Sequence, residues 1–148
     1  MENTKQTQYH AAAYVRLSKE DLNSVSGLKA ESNSISNQKQ LILDYLKDKT
    51  DIKLVSIRED DGYTGTDYDR PDFQRMMDDI RAGVVNCVIV KDLSRFGREY
   101  AQMGMYIEHY FEQKNVRFIS VAESIDSAKG LDNLVLPFTN VINSFYAR

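Results

Sequence analysis

One serine and several arginines are the residues whose types and spacing could do chemistry. In the stretch "YVRLSKED", residues 14–21, Tyr14, Arg16 and Ser18 alternate along the chain. In an extended strand these three side chains point to one side of the sheet. Two interpretations follow: a half-buried strand turns its polar side to water, or a nucleophile stands beside a guanidinium that binds an anion. The octet alone favours the first, so the rest of the chain must decide.

Further arginines favour the second interpretation. Arg95 and Arg98 are three residues apart, so one helical turn aims them together, and Gly97 between them permits a close backbone approach. With Arg16 and Arg70 they form a set suited to a phosphodiester, because guanidinium groups bind non-bridging oxygens bidentately. They also stabilise the extra negative charge of a pentacoordinate transition state. Any one of them alone is more simply a surface arginine; together with Ser18 they indicate phosphoryl chemistry.

Other catalytic classes lack their residues. His10 and His109 are the only histidines and no G-x-S-x-G elbow is present, which disfavours a serine hydrolase of the usual kind. The acidic run 59–61 has the oxygens to bind Mg²⁺, but we expect it to end a strand in solvent. There is no Cys/His ligand spacing, no Walker loop and no G-x-G-x-x-G. We therefore expect no metal and no nucleotide cofactor.

The bulk composition is that of one globular domain. The chain has 148 residues, 42% hydrophobic and 28% charged, with no apolar run long enough to span a bilayer and no signal peptide. A single cysteine, Cys87, offers no internal disulfide, so a cytoplasmic location is expected. The net charge of -3 argues against a strong general attraction of this segment to nucleic acid.

Strands alternate with helices along the chain, which predicts an α/β fold with a mainly parallel sheet flanked by helices. The predicted strands cover residues 10–15, 53–60, 86–91 and 116–121; the predicted helices begin near Ser34 or Ser36, at Pro71 and near Met103. Ligands of such sheets gather beyond the carboxyl ends of the strands. Ser18 and the stretch "DLSRFGRE" leave two strands at that edge, so we expect them to converge there.

The chain divides into three predicted parts. Residues 1–8 are polar and form a loose leader, and residues 9–130 form the catalytic domain. Residues 131–148 carry apolar side chains at helical spacing with no stop signal after them, which indicates the start of a long helix that is cut short.

Four stretches in order resemble a known family. "YVRLS", "SISNQKQLILDY", "DGYTGTDYDRPDFQRMMDDIRAG" and "VIVKDLSRFGRE" are similar to the catalytic domain of the serine site-specific recombinases, the resolvases and invertases. The resemblance runs from about Ala11 to Arg148. "DRPDFQRM" and "NVINSFYAR" look more like the large serine recombinases, particularly transposases of bacterial mobile elements.

The resemblance implies a role for each matching residue. Ser18 matches the nucleophile that attacks a DNA phosphate and leaves a 5′-phosphoserine link with a free 3′-hydroxyl. The positions that match phosphate-binding and transition-state arginines are Arg16, Arg70, Arg95 and Arg98. Gln38 and Tyr14 match residues that support the site. The family cuts double-stranded DNA in a homotetramer assembled from dimers, exchanges ends by subunit rotation and rejoins them, without ATP or metal.

The chain also departs from the family. Many small resolvases carry an aspartate directly before the first arginine of "R-x-G-R", where this chain has Ser94, with Asp92 two residues earlier. Whether Asp92 takes over that role stays open. The loop 19–33 is longer than in small resolvases. The chain ends early in the long helix that forms the dimer interface in the family, so the DNA-binding portion is expected beyond residue 148.

Two rival interpretations stay open from the residues. A receiver-type regulatory module would use Asp92 as phospho-acceptor, but it leaves the arginine set unexplained. A serine phosphoesterase would share the nucleophile Ser18 but would hydrolyse its covalent intermediate instead of rejoining strands.

Overall fold

Five strands and two complete helices make up the described part of the chain. The computed structural model describes residues 8–17, 34–60, 70–93 and 110–129. The strands are β1 (Tyr9–Arg16), β2 (Ile52–Asp60), β3 (Cys87–Val90), β4 (Arg117–Ser120) and β5 (Ile125–Asp126). The helices are α1 (Ile35–Leu46) and α2 (Pro71–Arg81), with a 3₁₀ turn at Ser127–Lys129 and helical residues at 110–114.

The strands form one sheet in the order β2-β1-β3-β4-β5. The pairs β2–β1, β1–β3 and β3–β4 are parallel, and β5 runs antiparallel to β4. The predicted α/β class with a mainly parallel sheet is therefore confirmed. The fifth strand was not predicted, because two residues are too few to show an alternating pattern.

The alternation of β1 supplies a core on each face of the sheet. Ala11, Ala13 and Val15 pack on one face with Ile42 of α1. Ala12 and Tyr14 pack on the other face with Phe73 and its neighbours on α2, and the rings of Tyr14 and Phe73 meet edge to face at 5.4 Å. Three consecutive alanines let the helices approach the sheet closely from both sides, which is why this central strand is buried throughout its second half.

Local signals account for the helix ends. Ser34 caps α1, its side chain accepting a hydrogen bond from the Asn37 amide at 3.2 Å. Pro71 occupies the first turn of α2, where its missing N–H costs nothing. Gly83 follows α2 with φ of +79°, the left-handed conformation that favours glycine after a helix. The predicted start of α1 and the predicted start and end of α2 are confirmed.

Several predicted features lie outside the described residues. These are most of the helix that begins near Met103, the loop 19–33, the leader up to residue 7 and the whole segment 131–148. The three-part division of the chain stays a prediction.

Candidate active site at the carboxyl edge of the sheet

The carboxyl ends of the central strands lie side by side. Arg16 is paired with Asp60 at the end of β2, and Tyr14 is paired with Val90 at the end of β3. Asp92 follows Val90 by two residues, in the bend directly after β3. The predicted edge is thus shared by the exits of β1, β2 and β3, and the segments that carry Ser18 and the "R-x-G-R" turn leave from it.

Gln38 fastens the end of β1. Its side-chain Nε2 donates to the carbonyl oxygen of Arg16 at 3.0 Å, and its Oε1 accepts from the Arg16 amide at 3.2 Å. The side chain of Gln38 is completely buried. It takes the place of β3, whose pairing with β1 ends at Tyr14, and satisfies the backbone groups of Arg16 on that side. The supporting role predicted for Gln38 has a physical basis here: it fixes the backbone two residues before Ser18.

Asp60 joins three elements at the same edge. Its Oδ2 accepts hydrogen bonds from the Tyr14 hydroxyl at 2.9 Å and from the Phe73 amide at 3.0 Å. Its Oδ1 accepts from the Asp72 amide at 3.0 Å. One carboxylate therefore ties β1 and β2 to the first turn of α2, the turn that Arg70 precedes.

The need for Asp60 follows from the sequence at the start of α2. The residue in the N-cap position is Arg70, whose side chain makes no capping hydrogen bond. The next two amide donors, those of Asp72 and Phe73, must find an acceptor elsewhere, and the positive end of the helix dipole favours an anion. Our expectation that the run 59–61 ends in solvent is wrong for Asp60, which is 6% exposed, because it is this helix's remote cap.

Two of the predicted site arginines, Arg16 and Arg70, influence the pKa of the Tyr14 phenol. Burial raises the pKa of Tyr14 well above its usual value, and the charge and hydrogen bond of Asp60 raise it further, while Arg70 and Arg16 oppose the rise. The hydroxyl therefore stays protonated and remains a donor to Asp60. The geometry that relates the two arginines is that of Asp60: it lies opposite Arg16 in the sheet and binds the first turn of α2, which directly follows Arg70.

Glu123 organises the exit of β3. Both of its carboxylate oxygens accept from the Leu93 amide, at 3.3 and 3.4 Å, and the buried Ser120 hydroxyl donates to one of them. Leu93 is fully buried and directly precedes Ser94. The turn that follows β4 thus holds Leu93, the last described residue before Arg95 and Arg98.

The structure describes five of the nine predicted site residues: Tyr14, Arg16, Gln38, Arg70 and Asp92. The other four, Ser18, Ser94, Arg95 and Arg98, lie outside the described residues, so their approach to Arg16 and Arg70 stays a prediction.

Sequence reasoning missed Asp60 and Glu123 as organising residues. A signal for Asp60 did exist: Pro71 at the first helical position makes Arg70 the N-cap, and an arginine side chain cannot accept hydrogen bonds from the helix amides. Nothing local in "SVAESID" marks Glu123, because its contact with Leu93 spans 30 residues.

The described residues contain no grouping of three or more histidine, cysteine, aspartate or glutamate side chains able to hold a metal ion. Within the same part of the chain, no helix has the length and hydrophobicity to cross a membrane.

The fold defines a class: an α/β domain with a mainly parallel five-stranded sheet, in which Arg16 ends β1 and Arg70 directly precedes α2. The chain belongs to the resolvase family, since the family model for the resolvase N-terminal domain matches residues 11–148. This confirms the resemblance and its extent, and it favours the recombinase over the receiver-type alternative. No curated protein matches the chain significantly.

Solved structures of serine recombinases share the fold. The chain is similar to the N-terminal catalytic domain of TP901-1 integrase, with 25% identity and a TM-score of 0.68, covering 93% of this chain and 96% of that one. It is equally similar to a resolvase family site-specific recombinase from Streptococcus pneumoniae, with 26% identity and a TM-score of 0.68, covering 95% and 89%. The catalytic domain of ISC1926 TnpA, an IS607-like serine recombinase, shares the fold at 22% identity and a TM-score of 0.57, covering 92% and 82%.

Proposed function

We propose that this chain is the catalytic domain of a site-specific DNA recombinase that integrates or excises a mobile element, with Ser18 as its nucleophile. The observation that supports the proposal is the arrangement at the exit of β1, where Arg16 lies opposite Asp60 in the sheet and Asp60 ties Tyr14 to the first turn of α2, directly after Arg70. Ser18 follows in the chain two residues after Arg16, the last residue of the strand whose end Gln38 holds in place. A phosphate bound by those guanidinium groups would lie within reach of the segment that carries the serine.

The proposed reaction conserves bond energy. As the Oγ of Ser18 forms a bond to phosphorus, the bond to the 3′ oxygen breaks and leaves a 5′-phosphoserine link. Attack of a 3′-hydroxyl on that link reverses the step and rejoins the strand. No ATP is needed because the ester carries the energy, and the arginines take the place of a metal in stabilising the transition state.

Each predicted residue has a part in this reaction. Arg16 and Arg70, with Arg95 and Arg98 from the loop after β3, would bind the phosphate and its transition state. Gln38 would position Arg16 through the strand backbone, and Tyr14 would support, through Asp60, the turn that Arg70 precedes. Asp92 or Ser94 would orient Arg95 or protonate the leaving oxygen. That set, Ser18, Arg16, Arg70, Arg95, Arg98, Gln38, Tyr14, Asp92 and Ser94, is the proposed active site.

The proposed partners are double-stranded DNA and further copies of the chain. Strand exchange requires two cut duplexes held together, so we propose a homodimer that pairs into a tetramer in the complete protein. We also propose that residues 131–148 begin the interface helix and that a DNA-binding region follows. The acidic balance of this segment fits that division, because most phosphate affinity would reside elsewhere. A cytoplasmic location follows from this role.

The test is covalent capture. The full-length protein is incubated with a supercoiled plasmid that carries its recombination sites, and protein attached to 5′ ends is measured. We expect the adduct with the wild-type protein and none with Ser18→Ala. Ser56→Ala, in the middle of β2, is the matched control and should form the adduct normally. An adduct with Ser18→Ala would refute the nucleophile, and hydrolysed ends without rejoining would favour the phosphoesterase alternative.

A further inference from the structure

We propose that Glu123 is a positioning residue for the reaction. It holds Leu93, which precedes the segment that contains Arg95 and Arg98, against the turn 121–124, from which the chain continues toward residues 131–148. The proposal rests on the proposed function, and it assigns a role to a residue that none of the site motifs contains.

The first support is the contact of Glu123 with the backbone of the loop entrance. The Leu93 amide lies 3.3 Å from Oε1 and 3.4 Å from Oε2 of Glu123, so it donates to both oxygens of one carboxylate. The Leu93 side chain is fully buried in the core on the α2 side of the sheet. The residue is therefore fixed at its side chain by packing and at its backbone by Glu123.

The second support is the rigidity of the turn that carries Glu123. Its backbone is already bound to the exit of β3, since the Val121 amide donates to the Val90 carbonyl at 3.0 Å and the Ala122 amide donates to the Lys91 carbonyl at 2.8 Å. Ser124 closes the turn in the left-handed conformation with φ of +56° and donates from its amide to the Val121 carbonyl at 3.1 Å. Glu123 thus projects from a turn held on both sides.

The third support is the orientation of the carboxylate itself. The buried Ser120 hydroxyl donates to Oε1 of Glu123 and limits the rotation of the side chain. A carboxylate can accept from Ser120 and Leu93 together without a proton of its own. A glutamine at this position has only one acceptor oxygen, and its NH₂ group would face one of the two donors.

The contact between Glu123 and Leu93 matters because of the segments that follow each of these residues in the chain. On one side, Leu93 is followed after one residue by Arg95 and after four by Arg98. On the other side, Glu123 is followed by β5 and the turn at Ser127–Lys129, which end directly before the segment 131–148. Together with the backbone bonds of Val121 and Ala122, Glu123 therefore links the residue that precedes the proposed arginine segment to the turn from which the chain continues toward residues 131–148.

The first experiment measures the contact without relying on DNA chemistry. In the full-length protein, hydrogen exchange of the Leu93 amide is followed by mass spectrometry of the peptides that span residue 93. We expect Glu123→Ala to raise its exchange rate at least about tenfold and Glu123→Gln to raise it less, with the amides of β3 unchanged. Glu112→Ala, an exposed glutamate on the helical segment 110–114, is the control. Unchanged exchange at Leu93 in Glu123→Ala would overturn the proposal.

The second experiment measures the consequence for the reaction. We expect Glu123→Ala to form the Ser18–DNA adduct at least about tenfold more slowly with unchanged affinity for DNA, and Glu123→Gln to lie between it and the wild type. An adduct rate within twofold of wild type would overturn the positioning role even if exchange rises. If the wild-type protein forms no adduct, the proposed function fails, while the exchange measurement still decides whether Glu123 holds Leu93.

Discussion

The two edges of the sheet use arginine and carboxylate side chains in opposite ways. At the amino edge, Arg117 binds Asp126 with two parallel hydrogen bonds of 2.9 and 2.7 Å and binds Asp51 at 3.0 Å. Its guanidinium also lies over the ring of Tyr9 at 4.9 Å. At the carboxyl edge, the three hydrogen bonds that Asp60 accepts come from neutral donors, a phenol and two backbone amides.

This difference concerns what the carboxylates at each edge hold in place. At the amino edge, Asp126 and Asp51 bind the guanidinium group of Arg117 and so connect β4, β5 and the residue before β2. The carboxyl-edge carboxylates, Asp60 and Glu123, bind backbone amides, and so they hold the ends of the functional segments in place. Arginines at the first edge are structural elements, whereas we propose that Arg16 and Arg70 at the second bind the phosphate.

The largest expected effect tests the carboxyl edge. We predict that Arg95→Ala or Arg98→Ala lowers the rate of DNA cleavage by about a thousandfold or more, since each would remove a charge that stabilises the transition state. The fold should be retained, because loop arginines contribute little to stability. Cleavage assays and thermal unfolding check this, with the exposed Arg81→Ala as control. Unfolding at a clearly lower temperature would instead assign these arginines a structural role.

The next effect tests the amino edge. We predict that Asp126→Ala lowers the free energy of unfolding by about 3 kcal/mol, because it leaves Arg117 with much of its buried charge uncompensated. Denaturant titration measures the loss. Asp51→Ala is the matched control and should cost about 1 kcal/mol or less, since Asp51 is partly exposed and receives a single bond. Where both variants remain folded, adduct formation should match the wild type.

The pH dependence of the same cluster has a definite sign. Burial alone would raise the pKa of Asp126, but the hydrogen bonds from Arg117 and the Ala128 amide outweigh it and lower the pKa below its usual value. The stability that Asp126 contributes is therefore complete above the unfolded pKa of about 4 and is lost as the pH falls through the lower folded pKa. In this acid range the difference in stability between wild type and Asp126→Ala should shrink. A constant difference would contradict the ion-pair interpretation.

A smaller loss of stability is expected from the two residues of the Tyr14–Asp60 hydrogen bond, and it differs between them. We predict that Asp60→Ala lowers the free energy of unfolding by about 2 kcal/mol, because α2 loses its cap and the Tyr14 hydroxyl loses its acceptor. Tyr14→Phe should cost only about 1 kcal/mol, since Asp60 keeps both backbone donors. Denaturant titration of both variants checks the order. Equal losses would mean that Asp60 acts through Tyr14 alone and not as a helix cap.

The sequence predicts the strands and helices of this molecule well, but it does not predict the long-range hydrogen bonds that hold their ends. The alternation in "HAAAYV", the apolar run "NCVIV" and the proline and glycine that bound α2 are local, so the sheet and helices follow from them. The arginine set could be proposed because its members carry a distinctive chemistry, and it stays a prediction. Asp60 and Glu123 were missed because each acts on a backbone amide far along the chain, and a strand-end acid in solvent has the same local sequence as one that is buried.

The smallest expected effect concerns the immediate neighbour of Asp60. Glu59 is half exposed and pairs with Lys39 on the surface at 2.9 Å, so its charge is screened by water. We predict that Glu59→Gln changes the free energy of unfolding by about 0.5 kcal/mol or less and leaves adduct formation within twofold of wild type. Because Glu59 and Asp60 are adjacent in the chain, this variant and Asp60→Ala together test whether burial, and not acidity at the end of β2, decides which carboxylate organises the edge. A loss with Glu59→Gln as large as with Asp60→Ala would show that the general negative charge of the strand end matters more than the hydrogen bonds that Asp60 makes.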